Sequence, residues 1–182
     1  MKRCDWATSA PEYIKYHDDE WGREVRGDDA VFERMVLEGF QSGLSWITIL
    51  RKRENFRAAF ASFSIDRVAT FTPRDIERLL ADPGIIRNRA KIAAAVANAR
   101  AAAALPEGLS DFIWSFAPTG RRKAPRTIAD VPALTPESTA LAKALKAKGF
   151  RFIGPTTAYA HMQATGMVND HLRDCVARPH CP

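Results

Sequence analysis

Between Met35 and Leu50 the chain carries one ionisable side chain, Glu38, among apolar and small neighbours. Phe32, Met35, Val36 and Gly39 fall at i, i+3, i+4 and i+7, the spacing of a buried helical stripe. The rest of the chain is therefore expected to be arranged around this stretch. Gln41-Ser42-Gly43 then interrupts the helical pattern, and Ser45 is placed to cap a second helix that opens at Trp46. A carboxylate and an indole flank one tight corner between two helices. An ionised carboxylate is costly to bury unless it is paired, hydrogen-bonded or shifted in pKa. Glu38 either sits at the edge of the stripe, reaching water or Arg34 one turn back, or faces a site whose occupant brings donors or positive charge.

The remaining signals are helical and local. Trp46, Ile49, Leu50, Arg53, Phe56, Phe60 and Phe63 continue at helical spacing. Thr72-Pro73-Arg74-Asp75 reads as a capping box with proline at the first helical position, and Pro83-Gly84 as a stop. An alanine-rich helix runs to about Ala104, and Ser110 is placed to cap a short apolar helix. From Ala117 to Leu134 the chain is rich in proline and basic residues (Arg121, Arg122, Lys123, Arg126) and reads as a long surface loop, able to touch phosphate or simply solvated. Thr135-Pro136 opens a further helix ended by Gly149, and Gly154-Pro155 opens the next. That is helix, tight hairpin, helix; a glycine N–H at the second helix start, with Lys146, Lys148 and Arg151 nearby, suits phosphate. No segment alternates over strand length, so the expected fold is all-α, with 182 residues forming one unit.

The two ends of the sequence hold the metal-type ligands. Tyr13, Tyr16 and His17 share one side of a short helix opening near Pro11, and with Trp6 and Trp21 they bring many polar tips together, which suits a pocket better than a dry core. Near the other end, His171 and Cys175 are expected at i and i+4 on a helix, within reach of one ion. Cys4 and His17 would complete a tetrahedral Cys2His2 set, which would be structural because no ligand position stays open. Three cysteines are too few for a disulfide framework. A net charge of +6 and a pI near 9.5 are compatible with a polyanionic partner. No apolar run is long enough to span a membrane and no signal-peptide core is visible, so a cytoplasmic location is expected.

These residues together resemble the DNA-3-methyladenine glycosylase I family of the helix-hairpin-helix superfamily over nearly the full length. The resemblance is carried by Arg3-Cys-Asp-Trp6, Tyr13-Ile-Lys-Tyr-His-Asp-Asp-Glu-Trp-Gly22, Leu37-Glu-Gly-Phe-Gln-Ser-Gly-Leu-Ser-Trp46, Gly84-Ile-Ile-Arg-Asn-Arg-Ala-Lys-Ile92, Gly149-Phe-Arg-Phe-Ile-Gly154 and Asn169-Asp-His171. It implies that Glu38 and Tyr16 hydrogen-bond a flipped base, that Trp46 stacks on it, and that Trp6, Tyr13 and Trp21 line the pocket. It implies structural zinc on Cys4, His17, His171 and Cys175, with Cys181 incidental. It further implies that Gln41, Ser42, Gly43 and Leu44 wedge into the duplex, while the hairpin (within 136–166) grips backbone phosphate around Gly154 and Arg151. The expected partner is double-stranded alkylated DNA, the expected state a monomer, and the expected chemistry hydrolytic release of 3-methyladenine without strand cleavage. Asp170 stays open: it either faces the sugar or orients His171. The rival readings are a non-catalytic DNA-binding module and a zinc-dependent hydrolase.

Overall fold

The computed structural model describes residues 2–120 and 122–182, which form nine α-helices and no β-strand. Arg121, one of the basic residues of the proline-rich segment, lies outside the described residues. In chain order the helices are α1 (Pro11–Asp19), α2 (Asp28–Gln41), α3 (Trp46–Ala59), α4 (Ile65–Ala69), α5 (Pro73–Ala81), α6 (Arg89–Ala103), α7 (Leu109–Trp114), α8 (Pro136–Ala147) and α9 (Pro155–Ala164). Several starts are written in their own first turns. Proline opens α1, α5, α8 and α9, where its missing N–H would have had no intrahelical partner. The Asp75 carboxylate accepts from the Thr72 N–H at 2.9 Å, and the Asn88 side chain accepts from the Lys91 N–H at 3.1 Å.

Helix α2 is the hub: Val31, Phe32 and every residue from Met35 to Phe40 are buried, so the apolar stripe wraps the whole second half of the helix. It packs against α3, α4, α6, α7 and α9. A helix this enclosed needs ties at its rim, and Glu20, just past α1, supplies one. Its carboxylate accepts from Arg34 of α2 at 2.9 Å and from Arg53 of α3 at 2.6 and 2.8 Å. Burial alone would raise the Glu20 pKa, but the Arg53 and Arg34 bonds hold it down at about 2. Helices α8 and α9 pack on each other across the segment 148–154.

Three local expectations need correcting. Ser110 lies inside α7 rather than at its cap, which is Gly108; its N–H donates to Asp28 at 2.8 Å and its hydroxyl accepts from the Gly27 N–H at 3.2 Å. The segment holding His171 and Cys175 is not a helix. Its backbone donors are used in tertiary bonds: Leu172 N to Cys4 Sγ (3.4 Å), Arg173 N to Pro125 O (2.7 Å) and Val176 N to Lys2 O (2.9 Å). The irregular segment from Ala117 to Leu134 is more than a solvated loop, because it turns back at Ile128–Asp130 and docks on the molecule through Pro125 and Val131. No helix is long and apolar enough to cross a membrane.

Candidate nucleic-acid base site

At the corner between α2 and α3 lies a cavity of about 380 Å³, within the roughly 300–1,000 Å³ range of small-molecule sites. Trp6, Tyr13, Tyr16, Trp21, Glu38, Gln41 and Trp46 line it, so the acid and all five aromatic residues singled out from the sequence converge on one space. The aromatic wall is contiguous. Trp6 meets Tyr13, Tyr16 and Trp21 at ring distances of 5.7, 6.5 and 5.1 Å, and Tyr16 meets Trp46 at 5.3 Å. The Tyr13 hydroxyl accepts from the Ile47 N–H at 2.9 Å, serving an unpaired donor in the first turn of α3 and fixing Trp46 beside it.

Glu38 is 6% exposed, and its carboxylate makes no hydrogen bond or ion pair with any other described residue. Arg34, the alternative partner, turns its Nη2 to Glu20 instead. Burial pushes the Glu38 pKa up to about 8, with the Arg34 charge only partly countering. Burial and the nearby Glu38 charge also raise the Tyr16 phenol. The wall thus offers acceptors and π-faces, with a carboxyl that takes its charge readily only when a donor or cation arrives.

Behind the aromatic wall, Cys4, His17, His171 and Cys175 form a buried group whose ligand atoms all lie within 4.8 Å of one another. Nε2 of His17 is 3.1 Å from Nδ1 of His171 and 3.4 Å from Sγ of Cys175; Nδ1 of His171 is 3.5 Å from Cys175 Sγ and 3.8 Å from Cys4 Sγ. The other nitrogen of each ring is held: His17 Nδ1 by Asp18 at 2.8 Å and His171 Nε2 by the Trp21 carbonyl at 3.0 Å. Asp18 is itself held by Arg3 at 2.8 Å. That is the outer arrangement that orients histidines toward a metal ion, and the group can hold one. Cys181 stays outside it, with its thiol toward the Trp21 and Ala177 carbonyls.

Other expected site residues fall elsewhere. Ser42, Gly43 and Leu44 form an exposed turn beyond the cavity, closed by Leu44 N to Gln41 O at 2.6 Å, with Gly43 at φ +80°. Gly154 and Arg151 belong to the hairpin and do not line the cavity. Ser45, read from the sequence only as a helix cap, lines it too; Ile128, Val131, Ala160, Gln163 and Asp170 complete the lining and were missed or left open by sequence reasoning. Asp170 faces this cavity rather than His171. It is buried, accepts from the Tyr159 hydroxyl and from Gln163 Nε2 at 3.0 Å, and has Arg122 3.7 Å away.

The family model described as methyladenine glycosylase matches residues 6–178. DNA-3-methyladenine glycosylase 1 of Escherichia coli strain K12 is 46% identical over 183 residues, covering 98% of each chain. A crystal structure of 3-methyladenine DNA glycosylase I superposes with a TM-score of 0.94 at 47% identity, covering 98% of this chain and 100% of that one. A Staphylococcus aureus 3-methyladenine DNA glycosylase I, solved for the structural basis of 3-methyladenine recognition, superposes at 0.92 with 34% identity, covering 98% and 97%.

A carboxyl whose pKa rises on folding contributes most below its unfolded value near 4.5 and costs stability as pH climbs toward 8. Glu38→Gln is therefore expected to raise the melting temperature, by a margin that widens from about pH 4.5 to about pH 8 and then levels. Thermal unfolding across that pH range checks this; a margin independent of pH would mean Glu38 is not held in an unpartnered site.

Proposed function

The chain belongs to the methyladenine glycosylase family, and we propose that it extrudes 3-methyladenine from alkylated double-stranded DNA and hydrolyses the bond joining base to deoxyribose, leaving the strand uncut. The observation that carries this reading is a buried carboxylate with no partner among the described residues, facing an aromatic cavity. Methylation at N3 makes the base of the nucleotide cationic, hence already a good leaving group. What the protein must supply is extrusion and selection, at an unstacking cost of a few kcal/mol that is least for a damaged base. Glu38 gives a charge-assisted acceptor to the exocyclic amine, Tyr16 adds a polar contact beside it, and the Trp46 face adds a cation–π contribution of roughly 0.5–2 kcal/mol. Trp6, Tyr13 and Trp21 close the remaining walls. Neutral adenine gains less from each.

On the sugar side, Asp170 is the second carboxylate of the cavity. Anchored by Tyr159 and Gln163, it can stabilise the positive charge that develops on the sugar as the bond to the base breaks. Water is the natural acceptor of the sugar, since no lysine lines the cavity among the described residues to form a Schiff base. In this reading Gln41, Ser42, Gly43 and Leu44 enter the gap left by the extruded nucleotide, helped by the 40% exposure of Leu44. The helix-hairpin-helix of α8 and α9 holds backbone phosphate through the start of α9 at Gly154, with Arg151 nearby.

The donor set Cys4, His17, His171 and Cys175 fits zinc. A tetrahedral site with Zn–N of about 2.0–2.1 Å and Zn–S of about 2.3 Å has ligand-to-ligand edges of roughly 3.3–3.8 Å. The contacts given above run from 3.1 to 3.8 Å. When bound, the ion would supply a structural cross-link between segments 4–17 and 171–175, with no open position for a reacting water. The protein acts as one unit and as a monomer on this reading.

Two outcomes are expected. Chromatography of bases released from methylated duplex DNA shows 3-methyladenine with the parent protein, and Trp46→Ala releases it about tenfold more slowly or worse, with strands intact on a denaturing gel; DNA binding without release by either protein would leave only a binding module. Elemental analysis finds about one zinc per chain, and Cys175→Ala loses both the metal and several degrees of melting temperature. A metal-free parent that melts no differently after zinc is added would remove zinc from the fold.

A further inference from the structure

The motif from Gly84 to Ile92 takes no part in the base cavity, yet it starts a helix that bonds to both of the features placed on DNA. Nζ of Lys91, in the first turn of α6, donates to the Phe40 carbonyl at 2.9 Å and to the Ser42 carbonyl at 2.5 Å. These belong to the end of α2, where carbonyls lack intrahelical donors and a cation is favoured. Seven residues on, and so on the same face of α6, Asn98 is 4% exposed. Its Nδ2 donates to the Arg151 carbonyl at 3.0 Å and its Oδ1 accepts from the Arg151 N–H at 2.7 Å, so one amide satisfies both backbone groups of a hairpin residue.

The two anchors are joined through a close-packed seam. Between them α6 presents Ala94 and Ala95 to a narrow crevice shared with Gly39 and Phe40 of α2 and with Phe152 of the hairpin. The small side chains let the three backbones approach. Phe152 holds φ +59°, a left-handed conformation unfavourable for a residue with a side chain, directly after the clamped Arg151. Such a conformation persists only where neighbours over-determine it, and the paired Asn98 bonds do so.

We propose that Lys91 and Asn98 are positioning residues that fix the separation between the 41–44 turn and the 148–154 hairpin, so that duplex opening and backbone grip occur in register. This rests on the glycosylase reading and adds to it a device for duplex substrate. Neither residue lines the base cavity, so recognition of the base itself is separable from their action. A single strand has no opposite strand to be parted from and can follow a displaced grip; a duplex cannot.

The test compares the parent with Lys91→Met and Asn98→Leu in three measurements: release of 3-methyladenine from methylated duplex, release from methylated single strand of the same sequence, and quenching of tryptophan fluorescence by free 3-methyladenine. Misplacement by about 1 Å can cost on the order of a hundredfold in rate, so release from duplex is expected to fall about tenfold or more in each variant. Release from single strand and affinity for the free base should stay within about twofold of the parent, and Lys91→Arg should recover much of the duplex rate. Equal losses on both DNA forms, a loss of free-base affinity, or parental duplex rates would overturn the proposal. If Asn98→Leu does not fold, Asn98→Asp keeps the acceptor for the Arg151 N–H, loses the donor, and must show the same duplex-specific loss. A parent that releases no base from either DNA refutes the glycosylase reading, and this one with it.

Discussion

A carboxylate buried in the wall of an apolar helix, with no donor among the described residues, sets the terms for the rest of this structure. Glu38 cannot hold its charge cheaply there, and its pKa near 8 expresses that cost. The surroundings sustain the arrangement instead of relieving it. Arg34, which could have paired with Glu38, is held by Glu20 together with Arg53, and that three-way tie locks the end of α1 against α2 and α3. Tyr13 serves the first turn of α3, where Trp46 lines the same cavity as the acid. A cationic purine slotted into this space would bring both a donor and the countercharge, where a neutral base brings a donor alone.

The Cys2His2 group stands directly behind the same wall. Neighbours in sequence divide the work: Tyr16 faces the cavity and His17 the ligand group, while the Trp21 ring lines the cavity and its carbonyl holds His171. The segment from Asn169 to Ala177 is anchored by tertiary bonds rather than by a helix of its own, and an ion held by the group would cross-link it to the first turns of the chain. Loss of that link would therefore be felt in the aromatic wall as well as at the chain ends.

Much of this was legible in the sequence because the signals are local. Helical spacing around Phe32 to Gly39, prolines at helix starts and the run of aromatics before Gly22 each act over a few residues, and the structure places them as read. The Cys and His residues could be matched by type, although they converge through turns and not through the i, i+4 helix expected for His171 and Cys175. What stayed hidden depends on long-range contacts. Ile128 and Val131 sit in a segment whose proline and charge content resembles any surface loop, and only its docking on the molecule turns them toward the cavity. The link from Arg122 to Tyr159 to Asp170 joins three parts of the chain with no common motif. Asn98 looks like one polar residue in an alanine-rich helix until the hairpin is seen against it.

Recognition of charge by a buried acid is the claim that the other features serve. Its most direct test is the single-turnover rate of 3-methyladenine release from a defined duplex by Glu38→Gln, corrected for spontaneous loss of the base and read beside the affinity for undamaged duplex. Charge recognition predicts that release slows by at least about tenfold, since a neutral amide replaces a charge-assisted acceptor, while affinity for undamaged duplex is unchanged. Release at the parental rate would contradict it, and would leave the acid in the aromatic wall without a part in selecting the base.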